Sequence, residues 1–185
     1  MNKYYYKDLI IELTDEPTYK LGSIDNDFNY SNFYLSEKSE FIPTTKHGIK
    51  IYRQNQLVDN CIVIGFGGAT GIFQNSSVID NDMLVICCSD TVFGFALANL
   101  ELKWKTQADQ FTCFQIFKLQ NDFIIHGESQ ITRLDRQGNK KWEFSGEDIF
   151  VSKENQEAFK IESDGILLTD FSNTKYKIDF NGKLH

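Results

Sequence analysis

The sequence predicts an all-β or mostly β protein, with antiparallel β-meander units repeated along the chain and forming an open sheet or sandwich. Three observations predict it. The 185 residues include 16 Phe and 8 Tyr, which favour strands and fill the space between sheets, and only 2 Pro. Few stretches hold a sustained 3.6-residue period; apolar residues come in short runs or in alternation instead. One three-strand outline recurs at a near-constant spacing, as repeated β-units do.

The clearest copy runs from Asp122 to Phe144. Phe123-Ile124-Ile125 is the apolar run of a strand buried on both faces. His126 to Ser129 reads as a polar turn, and Gln130 to Leu134 as a strand whose Ile131 and Leu134 share a packed face. Asp135 to Asn139 is a hairpin loop closed by Gly138, which takes a left-handed conformation at no steric cost. Trp142 and Phe144 then alternate with Lys141 and Glu143. The outline recurs upstream in Asp82–Cys87, Thr91–Leu97 and Leu102–Lys105, and downstream in Asp164–Thr169, Thr174–Asp179 and Asn181–Leu184. The leading aspartates, Asp82, Asp122 and Asp164, stand 40 and 42 residues apart, and Trp104 and Trp142 stand 38 apart. At strand starts, such aspartates are expected to hydrogen-bond their turns.

Over residues 60–185 this pattern resembles the blade of β-propeller proteins of the quinoprotein-like or WD-like layout. The resemblance rests on the apolar strand, the Leu-Asp-x-x-Gly turn and the Lys-x-Trp strand; the Gly-His and Trp-Asp pairs of WD repeats are missing. It implies an architecture and no chemistry. Three units fit, whereas a closed propeller needs at least four blades. Either residues 1–45 supply the missing strands, or the units stack as an open sheet or sandwich with the N-terminal segment covering one end; the open form is the expectation. Residues 1–48 read as an acidic, aromatic-rich capping segment and 49–185 as the repeated domain, within a single domain overall.

From the N-terminus, Tyr4 to Leu13 reads as one strand and Thr14 to Pro17 as a turn. From Tyr19 to Tyr34, Asp, Asn and Ser alternate with aromatics. Asp25, Asp27, Phe28, Tyr30 and Tyr34 are candidate partner contacts, since aromatics dominate interface energetics; equally, the segment is a cap docked on the repeats. Phe41-Ile42-Pro43 leads to a polar loop, and Ile49–Arg53 pairs with Cys61–Ile64 as a hairpin. Lys153 to Glu157 is a turn or one turn of helix, before a strand at Ala158–Ile161.

The chain's one glycine cluster, Gly65 to Gly71, is the candidate ligand loop, because successive backbone N–H groups can cradle an anion. Gly67, Gly68, Thr70, Gly71 and Asn75, with His126, are its candidate binding residues. The cluster lacks the Lys-Ser/Thr of a phosphate loop and the spacing of a dinucleotide site, and a strained β-loop is the alternative reading. His126 with Glu128 has the composition of an acid–base pair, or is a turn histidine. No catalytic residue, cofactor or metal is assigned. There is no Gly-x-Ser-x-Gly elbow, Asp15, Asp25 and Asp27 lack calcium-loop spacing, and the four cysteines form no CxxC pair. Cys61, Cys87, Cys88 and Cys113 sit in apolar runs and read as reduced, buried thiols of a cytoplasmic protein, with Cys87 and Cys88 on opposite faces. Met1 to Asp8 does not read as a secretory signal.

The net charge of −7 disfavours nucleic-acid backbones and anionic membranes, and no apolar stretch reaches the length of a membrane span. The expected function is a non-enzymatic protein-interaction module, in concrete form a small acidic immunity- or inhibitor-type protein that masks a basic partner. Association of copies through open sheet edges is a further expectation. The alternative is a small-ligand binder or enzyme using loop 65–77 and His126.

Overall fold

In the computed structural model, which describes residues 1–36, 42–153 and 157–185, the chain builds four successive β-sheets, here called blades. The first contains β1 (Asn2–Tyr6), β2 (Leu9–Asp15), β3 (Asn32–Leu35), β4 (Thr45–Arg53) and β5 (Gln56–Gly65) in the order β1-β2-β4-β5-β3. All pairs are antiparallel except β3 on β5. The second blade is the meander β6 (Ser77–Asp80), β7 (Met83–Cys88), β8 (Thr91–Ala96) and β9 (Leu102–Gln107). The third is β10 (Cys113–Leu119), β11 (Asp122–Gly127), β12 (Ile131–Leu134) and β13 (Lys140–Phe144). The fourth is β14 (Phe159–Ile161), β15 (Ile166–Thr169) and β16 (Lys175–Ile178). Among the described residues the fold is all-β and propeller-like, and the blades do not close into a ring.

Three apolar layers join the blades. Ile11, Ile49, Ile51 and Val63 of the first meet Leu84, Ile86, Phe93 and Phe95 of the second. Val85, Cys87 and Val92 on the second blade's other face meet Ile116, Phe123, Ile125 and Leu134 of the third. Ile124 and Ile131 then meet Phe159, Ile166, Leu168 and Ile178 of the fourth. Successive residues on one strand therefore serve two layers, as the period of two requires. Cys87 and Cys88 divide between layers in this way, and all four cysteines are free and buried.

The tryptophan spacing has a mechanical reason. Trp104, on β9, donates its Nε1–H to the Arg136 carbonyl (3.0 Å) in the β12–β13 turn of the next blade. Trp142, on β13, does the same to the Phe180 carbonyl (3.0 Å) in the fourth blade. Each indole lies over a glycine of that turn. A Cβ on Gly138 (φ 81°) or Gly182 (φ 77°) would strike the ring, and both carry the left-handed φ that glycine allows. Between the first two blades Tyr34 takes the same part, donating to the carbonyl of Leu100, itself left-handed at φ 46°.

Several sequence expectations change in the folded chain. Residues 4–13 form a hairpin rather than one strand, because Lys7 turns back at φ 53°. His126 and Gly127 belong to β11 rather than to a turn. Ile131 and Leu134 face opposite layers, as residues three apart on a strand must. Asp122 does not serve a turn; buried, it pairs with Arg133 on β12 and with Lys141 (2.7 Å) on β13. The Phe41 expectation and most of the Lys153–Glu157 one lie outside the described residues.

Candidate functional site

The glycine loop is a rim connection between blades. Gly68 N–H donates to the Phe111 carbonyl (2.7 Å), Thr70 N–H to Thr45 Oγ1 (2.9 Å) and Ile72 N–H to the Asp15 carboxylate (3.1 Å). The buried Thr70 hydroxyl accepts from Ser89 N–H (3.1 Å) and lies 3.3 Å from the Cys113 carbonyl, so one side chain touches the second and third blades. A Cβ on Gly67 would meet the Phe111 carbonyl, and one on Gly68 would strike the Thr112 hydroxyl. Close approach, and not a left-handed φ, is why these two are glycine; Gly71 is exposed. Asp15 also faces the buried His47, whose Nδ1 stands 3.0 Å from Oδ1 but off the line of a hydrogen bond. That imidazole, and then the Ile72 amide, hold the Asp15 carboxyl below its ordinary pKa while partial burial opposes them.

Asn75 and His126, far apart in the chain, meet in one cavity of about 520 Å³ between the third and fourth blades. Gln74, Gln115, Ser152, Glu157 and Lys160 also line it; Gly67, Gly68, Thr70 and Gly71 do not. His126 is stacked on Phe159 (centroids 4.9 Å apart), with Phe114 edge-on. Its Nε2 lies 2.9 Å from the Phe150 carbonyl and its Nδ1 3.1 Å from the Gln115 side-chain amide. The carbonyl accepts only, so Nε2 carries the proton, and Nδ1 accepts from Gln115 once that amide turns its nitrogen inward. Burial pushes the imidazole down to about 4, so it is neutral near pH 7. The Cys61, Cys88 and Cys113 thiols are raised by burial, which keeps them protonated and unreactive.

The acidic, aromatic segment lies over the outer face of the first blade. Tyr19, Tyr30, Leu35 and Phe66 cover Ile62 and Ile64. Tyr30 donates to Glu16 Oε1 (2.5 Å), Lys50 Nζ stands 3.8 Å from the Phe28 ring centre, and Lys46 Nζ donates to the Tyr19 carbonyl (2.8 Å). Gly48 lets Tyr30 lie flat, because a Cβ there would occupy the ring's place. Phe28, Tyr30 and Tyr34 are thus half-buried supports, while Asp25 and Asp27 are exposed. Between them and the core the chain makes a fixed loop. Asn26 Oδ1 accepts from Lys20 N–H (2.9 Å), and its Nδ2 lies within 2.8–3.1 Å of the Lys20 and Ser23 carbonyls and Asn29 Oδ1. The loop holds Ile24 out at 92 % exposure, with Leu21 and Phe33 about half exposed nearby in sequence. Ile24 carried no motif; its one sequence signal is an aliphatic residue set between Ser23 and Asp25 in a polar stretch.

The sequence matches no family model and no curated protein. Among solved structures, the computationally designed Ika4 protein is similar at 11 % identity over 80 % of this chain and 96 % of its own, with a TM-score of 0.51. BamB from Moraxella catarrhalis matches at 13 % identity over 74 % of this chain and 42 % of its own (TM-score 0.47). The Pan2 WD40 domain of Neurospora crassa matches at 17 % over 60 % and 36 % (TM-score 0.46). The chain thus spans less than half the length of these last two, and its likeness to Ika4 is one of fold alone.

Proposed function

We propose that this chain is a non-enzymatic protein-interaction module, and that the 20–29 loop tip is its contact surface for a basic partner. One observation carries the reading: an isoleucine held almost fully in solvent by a loop that Asn26 has already ordered. Covering that side chain gains about 2 kcal/mol, and a preordered loop loses little entropy on docking. Asp25 and Asp27 flank the tip, and a net charge of −7 draws a cationic surface toward it. The concrete form is a small acidic inhibitor or immunity-type protein that masks a basic protein in the cytoplasm, where four free thiols stay reduced.

The test is affinity capture with the full chain, identification of the captured protein, and measurement of its binding to two variants. Ile24→Asp should weaken binding by about thirtyfold, the size of a hot-spot loss. Asp25→Lys with Asp27→Lys should mainly slow association and flatten its salt dependence. Capture of no basic protein, or equal binding by both variants, contradicts the proposal.

A further inference from the structure

The strand β14 is the edge of the fourth blade, and its register decides which way its main chain points. Thr169 N–H donates to the Ala158 carbonyl (3.0 Å), Glu162 N–H donates to the Gly165 carbonyl (2.9 Å), and Lys160 stands opposite Leu167. The bonded pairs are therefore 158 with 169, 160 with 167 and 162 with 165. In an antiparallel ladder the residues between them turn their N–H and C=O away from the partner strand. Those residues are Phe159 and Ile161, and among the described residues no strand pairs with that side. Phe159, Lys160 and Ile161 line the 520 Å³ cavity. The carboxamides of Gln74, Asn75 and Gln115, which offer both donors and acceptors, share its lining. Lys160 and Glu157 add one charge of each sign. Gln74 and Asn75 also line a second hollow, of about 510 Å³, beside Asn2, Lys3 and Tyr4 of β1. The two hollows share Gln74 and Asn75, and the first forms a trough alongside β14.

We propose that this trough binds an extended, uncharged polypeptide segment as an added strand on β14. Free N–H and C=O groups repeating every second residue fit an extended backbone, and edge pairing of this kind supplies affinity through the main chain. Carboxamide walls suit a segment without net charge; of the two charged groups, Lys160 is already paired with Glu162 (3.0 Å). The site is separate from the Ile24 loop and stands without it.

The probe is a phage-displayed library of linear seven-residue peptides panned on the full chain, with binding of a selected peptide read by fluorescence anisotropy. Ile161→Ala and Ile161→Pro both lose the side chain, but only proline loses the N–H that faces the trough. Proline is tolerated at an edge position whose N–H is outside the ladder, and Lys160 before it is already extended. Ile161→Ala should bind within about threefold of the parent chain and Ile161→Pro at least about tenfold more weakly, the loss of one hydrogen bond. On the unaltered protein, methylating alternate peptide nitrogens should cause a similar loss, and exchange of the Phe159 and Ile161 amides should slow when the peptide is bound. Enrichment of no peptide, equal binding to both variants, or binding indifferent to backbone methylation overturns the proposal.

Discussion

The two ends of the blade stack solve one problem in different ways. Both end blades have an outer face with no neighbouring blade upon it. On the first, Ile62 and Ile64 are apolar and the chain folds its own 17–36 segment over them. On the fourth, the outward positions are Lys160, Leu167, Thr169, Lys175 and Lys177, in register across three strands, with Lys160 and Lys175 exposed and the other three half-buried. Lysines on a terminal sheet also discourage accidental pairing with other chains. The first end therefore presents a structured loop and the last end a solvated charged face, which is why the contact surface is assigned to the first.

The largest test of that contrast compares interior and end blades. On β11, Ile124 and Ile125 face different layers, so either change to alanine should cost about 2–5 kcal/mol in chemical denaturation. On β15 the inward-facing Ile166 and Leu168 should cost as much and Leu167 should not. Equal losses at Leu167 and Leu168 would show that the fourth blade's outer face is covered.

A second test uses pH at the junction that holds the last blade. His126 is neutral when folded, with its pKa pushed down to about 4, whereas the unfolded chain takes a proton near its ordinary value of 6.5. Its contribution is intact above about pH 6.5, falls as pH drops toward 4, and levels off below. The loss approaches about 3 kcal/mol across that window. The change His126→Phe should flatten this part of the stability profile while leaving the rest. A slope unchanged by the substitution would assign the acid sensitivity to other groups.

The third concerns the cap. Gly48→Ala places a methyl where the Tyr30 ring lies and should cost about 1–3 kcal/mol as overpacking. It should also open residues 17–36 to limited proteolysis. Resistance equal to the parent chain would mean that the cap does not depend on Tyr30. The smallest effect is at the other end, where Lys177→Ala breaks an exposed pair with Asp164 and should leave the unfolding midpoint unchanged.

Much of this was legible where burial is two-sided or one-sided along a whole strand. The runs at Met83–Cys88 and Asp122–Gly127 mark strands packed on both faces, and the alternation at Lys175–Ile178 marks a strand with one face in water. The Trp104–Trp142 spacing and the Gly138 and Gly182 turns carry the clasp between blades. What stayed hidden depends on backbone geometry or on long-range meetings. Lys7 reverses the chain with a left-handed φ that its residue type does not advertise. Gly67 and Gly68 look like an anion cradle, yet they are small because the Phe111 carbonyl and the Thr112 hydroxyl come close. Asn75 and His126 share a cavity only because the loop before β6 lies over β10, where Ile116 N–H donates to the Asn75 carbonyl (2.7 Å).

The most direct test is site-specific photocrosslinking in cells that make the protein, with the reactive side chain at position 24 in one version and at 167 in another. The account predicts an adduct with a basic protein from position 24 and none from 167. An adduct from 167 alone, or the same adduct from both, would contradict it.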